Sequence, residues 1–404
     1  MARKIAKEAL ARDHSFLYKQ RITQYVLGAT KVSHQYTAAV IGAGVGGRVS
    51  MAALSASPRF DLVAVADIQA EARTAVQEMY TGVRTFPDHA ELFAACPTDV
   101  VCVSTWPPSH LEVTQAALQL PLQGILVEKP LADTHASGRR ILELIRARNL
   151  PMAVPHGLLV ADHSTQVLKR VHAGEIGQLK LVEIQCAGWD IINAGIHWLN
   201  FFVELTKREP VDYVIGACDA STRTWRDSMQ VETLAVTYAQ TASGTRVVMN
   251  TGDYVTFSEP VENTLFRLVG TLGTIDFYGW EPRYRILNAE YPQGRLFEFE
   301  PGPTILHQRH LENLAAQMDR AQPDYTIAQG SLAALELCEA AYVSIRNGSV
   351  PVPLPLKDFE PPPPVAWQPG LPYTGRGGGR NGRRLPPRPQ QNNRPLHPAQ
   401  SEEQ

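Results

Sequence analysis

The chain has 404 residues, a formal net charge of −2 and 44% hydrophobic residues. That is enough for about two domains with sizeable cores, and it argues against a strongly basic nucleic-acid binder. The five cysteines, Cys96, Cys102, Cys186, Cys218 and Cys338, show no C-x-x-C spacing, so the expectation is buried thiols in a reducing, cytoplasmic setting with neither disulfides nor a metal site. No apolar run approaches the roughly eighteen residues that span a bilayer, which removes the membrane as an expected partner.

Residues 1–36 carry Arg3, Lys4, Lys7, Arg12, Lys19 and Arg21 without a signal-type apolar core. Glu8, Asp13, Phe16, Tyr18 and Tyr25 favour an N-terminal extension lying as a helix against the folded body over an organelle presequence.

From 37 to 155 strand and helix patterns alternate. Strands are expected near 38–42, 61–67, 83–86, 99–104, 124–128 and 151–154, with helices over 71–80, 89–96, 109–118 and 134–148. This predicts an α/β, doubly wound parallel sheet of the Rossmann kind. The first strand breaks into Gly42-Ala43-Gly44-Val45-Gly46-Gly47, a G-x-G-x-x-G loop opening a helix. Gly42 would permit the tight turn, Gly44 the approach of a pyrophosphate and Gly47 the close packing of helix on strand. Phosphates would sit on the amides of the helix N-terminus. Asp67 ends the second strand about twenty residues on, where a carboxylate binds a ribose 2′-hydroxyl and repels a 2′-phosphate, so NAD is expected over NADP.

The texture changes over 156–355. A helix over 165–172 leads to Gly174-Glu175-Ile176-Gly177, then a strand over 180–187 and a helix over 193–205. Further strands are expected over 211–215, 231–238, 246–250, 263–268, 274–277 and 295–298, and two helices over 307–321 and 327–346 close the domain. The reading is an α+β domain with an open, mostly antiparallel sheet carrying helices on one face, its last helix packing back toward the first domain. Residues 356–404, with Pro361 to Pro364, Gly377 to Gly379 and scattered arginines, form a Pro/Gly/Arg-rich tail.

Oxidising a secondary alcohol requires a base near neutrality and a cation for the developing alkoxide. Lys129 follows a buried strand at the end where switch-point ligands sit, although a strand-end lysine is often a solvated charge. His197 offers a group titrating near neutrality, although alone it reads as a histidine on a half-buried helix. Asn193, four residues earlier, would share its helical face. Asp190 either caps the coming helix or supplies a carboxylate to His197 or substrate. Trp189 and Trp106 could offer flat faces to sugar or nicotinamide rings, whereas Trp198 reads as core.

These residues, with Ser104-Thr105-Trp106-Pro107-Pro108-Ser109-His110, Val127-Glu128-Lys129-Pro130, Asn193-Ala194-Gly195-Ile196-His197 and the stretch around Ala333 to Tyr342, resemble the glucose-fructose oxidoreductase and inositol dehydrogenase family, Gfo/Idh/MocA. The resemblance runs from about Ala38 to Pro355. It implies an NAD(P)-dependent oxidoreductase acting on a secondary alcohol or ketone of a sugar, cyclitol or related polyol, and a homo-oligomer. The catalytic residues implied are Lys129 and His197, and Asn193 and Asn200 stand where the family often has carboxylates. The implied cofactor contacts are Gly42, Gly44, Val45, Gly47, Asp67, Ser104, Thr105, Pro107, His110, Glu128, Lys129 and His156. Trp189, Asp190, Asn193 and His197 are the expected substrate contacts. Redox-assisted glycoside cleavage and a non-catalytic sugar or cofactor sensor on the same fold stay open as rival functions.

Overall fold

The apolar runs read above as strands become a six-stranded sheet whose neighbours are all parallel, in the order β3-β2-β1-β4-β5-β6. The elements in chain order are β1 (Tyr36–Ile41), α1 (Val45–Ala56), β2 (Phe60–Ala66), α2 (Ala70–Met79), β3 (Arg84–Phe86), α3 (His89–Ala95), β4 (Val100–Val103), α4 (His110–Ala117), β5 (Gly124–Val127), α5 (His135–Ala147) and β6 (Met152–Ala153). Every residue of β4 and β5 is buried, as expected where helices cover both faces of a parallel sheet. Strand order reverses between β1 and β4, so the loops leaving Ile41 and Val103 flank the crevice where doubly wound sheets bind ligands. The structure is a computed structural model and describes residues 35–219, 223–227, 229–257, 261, 263–300, 302 and 304–356. The expected N-terminal helix and the Pro/Gly/Arg-rich tail lie outside the described residues.

The second domain runs through α6 (Asp162–His172), β7 (Leu179–Ala187), α7 (Gly195–Leu205), β8 (Val211–Cys218), β9 (Arg223–Arg226), β10 (Met229–Glu232), β11 (Leu234–Thr241), β12 (Arg246–Gly252), β13 (Thr264–Gly270), β14 (Gly273–Phe277), β15 (Arg283–Asn288), β16 (Arg295–Glu298), α8 (Leu306–Arg320), α9 (Thr326–Arg346) and β17 (Val352–Pro353). Nine of these strands form an open sheet, β16-β15-β14-β13-β7-β12-β11-β8-β17, antiparallel everywhere except between β7 and β12. Burial alternates along β11, so one face is packed and the other is turned outward, with Val236 41% exposed. The packed face meets α7 and α9 through Trp198, Phe201, Phe202, Phe266, Leu335 and Ala341.

Two features of this domain correct the sequence reading. The single strand expected over 231–238 is two: β10 pairs only with β9 as a small hairpin, and β11 enters the large sheet. The break falls at Thr233, whose carbonyl accepts from Asp253 N at 2.9 Å while Glu232 turns its carboxylate inward. β15 was not expected, because its alternation is masked by the arginines Arg283 and Arg285 on its outward side.

Both closing helices touch the first domain. Leu311, Leu314 and Ala315 of α8 share a core with Val40, Met51 and Leu54, and Gly124 leaves room for Met318, whose Sδ would lie 2.7 Å from a Cβ there. α9 packs on the second core along most of its length, while its Ala328 joins the Rossmann core and its Leu332 and Leu335 meet Gly138 of α5. Among the described residues no helix is long and apolar enough to cross a membrane.

Candidate active site

The glycine loop has the geometry its spacing predicts. Gly42 has φ +96°, and a Cβ on it would lie 2.5 Å from the Ser104 carbonyl oxygen. A Cβ on Gly47 would lie 1.8 Å from the Gly42 oxygen, so only glycine lets α1 sit this close to β1. Around Gly44 there is open space, and α1 begins there without a side-chain cap, which leaves first-turn amides free for a ligand. Val45 beside it is 75% exposed. Asp67 stands at the end of β2 as expected, and its Oδ2 accepts from Ala43 N at 2.7 Å while Oδ1 accepts from Gln69 N at 2.8 Å. The carboxylate is thereby held against the glycine loop, itself tied to the same ligand crevice.

Across the crevice, Ser104 is buried and lies 3.3 Å from Ser50 Oγ, and Thr105 Oγ1 accepts from Ser109 Oγ at 2.7 Å. Pro107 opens a short 3-10 turn, Pro107–Ser109, behind the partly exposed Trp106. His110 opens α4, as expected. Its ring is fully buried, with Nδ1 3.2 Å from Leu131 O and Nε2 3.0 Å from Thr105 O. Each ring nitrogen lies within hydrogen-bond distance of a backbone carbonyl, the single N–H of the neutral ring can meet one of the two, and the ring lies between the 105 and 131 loops.

Glu128 and Lys129 leave the end of β5 in different directions. The Glu128 side chain lies under the glycine loop, where a Cβ on Gly46 would come within 3.1 Å of its Cδ. Its Oε1 accepts from His307 Nε2 at 2.7 Å and its Oε2 from the Lys129 amide at 3.2 Å. Burial alone would raise its pKa, but the charge and hydrogen bond of His307, with Lys129 adding to them, hold the carboxyl below its ordinary range. Lys129 reaches the other way, into the second domain, and its Nζ donates to Asn193 O at 3.1 Å. Two motifs 64 residues apart thus meet at one ammonium.

The 188–194 turn is organised by Asp190. This buried carboxylate accepts at Oδ1 from Ile192 N (3.1 Å), Asn193 N (2.7 Å) and Asn193 Nδ2 (3.1 Å), and its Oδ2 stands 3.2 Å from Arg226 Nε. Two expectations are corrected here. Asn193 does not share a helical face with His197, because the Asp190 turn captures residues 192 and 193 and α7 begins only at Gly195. Asp190 does not hold His197: its Oδ1 is taken up by the turn, and its Oδ2, which makes no hydrogen bond among the described residues, faces the Arg226 guanidinium as an ion pair. Trp189 is 41% exposed, with the Arg226 guanidinium 4.6 Å from its ring centroid. Asn200, one turn beyond His197, is fully buried beside Gly330, and both its amide atoms lack hydrogen-bond partners among the described residues.

His197 sits half-buried between the rings of His156, 5.5 Å away, and Trp280, 5.1 Å away, both edge to face. Burial first, then the charges of Lys129, His156 and His307, push its pKa well below the usual histidine value, so the ring is neutral at pH 7. His156 is buried beside it, with Nε2 2.8 Å from Ser331 Oγ of α9. His307, Trp280, Arg226 and Ser331 were missed by the sequence reading. Each lies 30 to 180 residues from its partner in no recognisable motif, and only the Lys129 and His197 spacings carried a signal. Among the described residues no group of three or more His, Cys, Asp or Glu side chains could hold a metal.

Residues 36–156 match the model of an oxidoreductase family with an NAD-binding Rossmann fold, GFO_IDH_MocA. The first domain belongs to the Gfo/Idh/MocA family. Relatives of the Gfo/Idh/MocA domain include the rhizopine catabolism protein MocA of Rhizobium meliloti, 25% identical over 44% of this chain and 59% of that protein. Inositol 2-dehydrogenase 3 of Saccharopolyspora erythraea is 33% identical over 29% of this chain and 34% of its own length. The matches therefore span less than two thirds of these relatives. In fold the likeness is wider: an inositol dehydrogenase homolog of Azotobacter vinelandii, solved with NADH and myo-inositol, aligns with TM-score 0.69 at 18% identity over 80% of this chain and 99% of that one. Levoglucosan dehydrogenase, solved with NADH and levoglucosan, aligns with TM-score 0.69 at 14% identity over 80% of this chain and 100% of its own. The likeness in fold thus covers both domains and extends beyond the residues matched by the family model.

The buried histidines give one measurable consequence. Burial, then His310 and Lys129, lower the His156 pKa to about 3. The unfolded chain titrates near 6.5. The fold therefore refuses a proton that the unfolded chain accepts, and stability attributable to His156 declines as pH falls from about 6.5 toward the folded value. Glu232 and Glu339, raised by burial to about 7 and about 8, act in the opposite sense over part of this range. A difference measurement isolates the histidine. Denaturant unfolding of wild type and His156→Gln should show the variant's relative stability improving by about 2 kcal/mol between pH 7.5 and pH 5; an unchanged difference would refute the buried neutral ring.

Proposed function

We propose that this protein is an NAD-linked oxidoreductase that moves a hydride between nicotinamide and a secondary alcohol or ketone of a polyhydroxylated small molecule. The observation that carries the reading is the meeting of Lys129 Nζ with the 188–197 segment at the open edge of a glycine-loop crevice. The names of the relatives, inositol and sugar dehydrogenases among them, support the same class of substrate.

The cofactor's fit rests on the loop itself. Gly44 leaves space for a pyrophosphate, the first-turn amides of α1 would hold it, and Asp67 would meet the adenosine ribose. When bound, NAD supplies the hydride acceptor. The remaining work falls to the protein. His197, kept neutral by burial and by the Lys129 ammonium, accepts the hydroxyl proton. Lys129 offers its ammonium to the oxygen as negative charge develops there. His156 and Trp280 pack the imidazole from two sides and limit its swing. Among the described residues the buried Asn193 Oδ1 and His197 Nδ1 have no hydrogen-bond partner, which suits a substrate presenting several hydroxyls.

Asp67 sets the cofactor preference, since a carboxylate held beside the loop repels a 2′-phosphate. Fluorescence titration should give NADH at least about tenfold tighter than NADPH, about 1.4 kcal/mol, and equal or inverted affinities would sink the assignment. Following NAD reduction across inositols, aldoses, aldonates and glycosides is the experiment that tests the activity. Cofactor binding without reduction of NAD by any of them would overturn it.

A further inference from the structure

We propose that Arg226, on the β9–β10 hairpin and outside every motif of the sequence, is a positioning residue that fixes Lys129 through the 188–193 turn. The inference rests on the reading of Lys129 given above.

Arg226 grips three consecutive residues. Its Nη2 donates to Gly188 O at 2.8 Å, its Nε lies 3.2 Å from Asp190 Oδ2, and its guanidinium covers the Trp189 ring at 4.6 Å. A planar fork suits this set of partners in a way a lysine would not. The Asp190 carboxylate then divides its oxygens. Oδ2 faces Arg226, while Oδ1 takes the amide and side-chain nitrogens of Asn193. Asn193 in turn presents its carbonyl to Lys129 Nζ at 3.1 Å. The chain Arg226, Asp190, Asn193, Lys129 therefore runs from the hairpin to the ammonium through one ion pair, Arg226 with Asp190, followed by hydrogen bonds from Asn193 to Asp190 and from Lys129 to Asn193.

The far end of the hairpin holds the same turn by a second route. Glu232 Oε1 accepts from Ile191 N at 2.7 Å, its Oε2 accepts from Tyr342 OH at 2.8 Å, and Cys338 Sγ lies 3.5 Å from Ile191 O. This second grip holds the backbone at 191 and leaves the Asp190 side chain to Arg226. The acidic groups at this contact are Asp190, which faces the guanidinium, the neighbouring Asp227, and Glu232, whose charge acts on Asp190. Neutralising a buried carboxylate would be a purely structural role for Arg226, and the test has to separate that role from positioning.

The separating measurements use the full chain and the variants Arg226→Gln, Arg226→Lys and Asp190→Asn/Arg226→Gln. Lys129 is acylated with an amine-reactive ester and its labelling rate is read by mass spectrometry against the exposed Lys207, alongside kcat, KM and NADH affinity. Positioning predicts that Arg226→Gln lowers kcat by about tenfold to a hundredfold, raises Lys129 labelling severalfold and leaves NADH affinity within about twofold, with Arg226→Lys recovering part of each loss. The double variant, which removes the stranded carboxylate and so guards against misfolding of the single one, should keep both defects. Wild-type labelling and kcat in the folded Arg226→Gln protein would overturn the inference, and so would a double variant restored to wild type, which would reduce Arg226 to charge compensation. If the wild type reduces no cofactor on any substrate, the functional reading falls, and the labelling ratio still decides whether Arg226 sets Lys129.

Discussion

Lys129→Ala should lower kcat for NAD-linked alcohol oxidation by about 10²–10⁴-fold, with cofactor affinity changed far less. The ammonium joins the Rossmann strand end to the 188–194 turn through its 3.1 Å bond to Asn193 O. Removing it takes away a cation at the developing alkoxide and loosens the turn together. It also removes one of the charges that keep His197 neutral, so the His197 pKa should move back toward its ordinary value. Hence the residual activity should fail at a higher pH on the acid side than that of the wild type. Steady-state kinetics across pH 5 to 9 would check both parts; a variant with wild-type kcat would remove Lys129 from the chemistry.

Gly47→Ala should abolish tight cofactor binding and destabilise the first domain by about 3 kcal/mol or more. The added Cβ would lie 1.8 Å from Gly42 O and 2.8 Å from Gly42 C, both backbone atoms with no rotamer to yield. α1 would have to move off β1 and carry the first-turn amides with it. Gly44→Ala is the matching control. Its Cβ meets nothing within 4 Å, so the fold should be unaffected while the methyl intrudes where a pyrophosphate would approach. Thermal unfolding and NADH titration of the two variants should separate the effects: stability and binding lost in the first, binding alone in the second. Normal NADH affinity in Gly44→Ala would show that the phosphates lie elsewhere.

Much of the first domain was legible because its signals are local. A buried parallel strand is a short apolar run, a helix follows at 3.6-residue spacing, and three glycines at fixed offsets describe one turn. The same locality explains where the reading slipped. The helix start at 193 was drawn by the apolar spacing of Ile196, Leu199 and Val203, whereas the Asp190 side chain takes the amides of 192 and 193 and delays the helix to Gly195. The strand at 231–238 looked continuous because Val231, Leu234 and Val236 are all sheet formers, and nothing in that run announces that Glu232 must turn inward to meet Ile191 and Tyr342.

By itself, the sequence determined the doubly wound sheet, the glycine loop with Asp67 at its side, and the strand end that delivers Lys129, since each is specified by residues within about thirty positions of one another. Tertiary structure decided the surroundings that give those residues their properties. The Glu128 partner His307 is 179 residues away, the His156 partner Ser331 is 175 away, and Trp280 and Arg226 reach the site from separate strands and loops. The neutrality of His197 is a result of burial and of three cationic or titratable neighbours brought from three segments, an electrostatic sum over space that spacing along the chain does not encode.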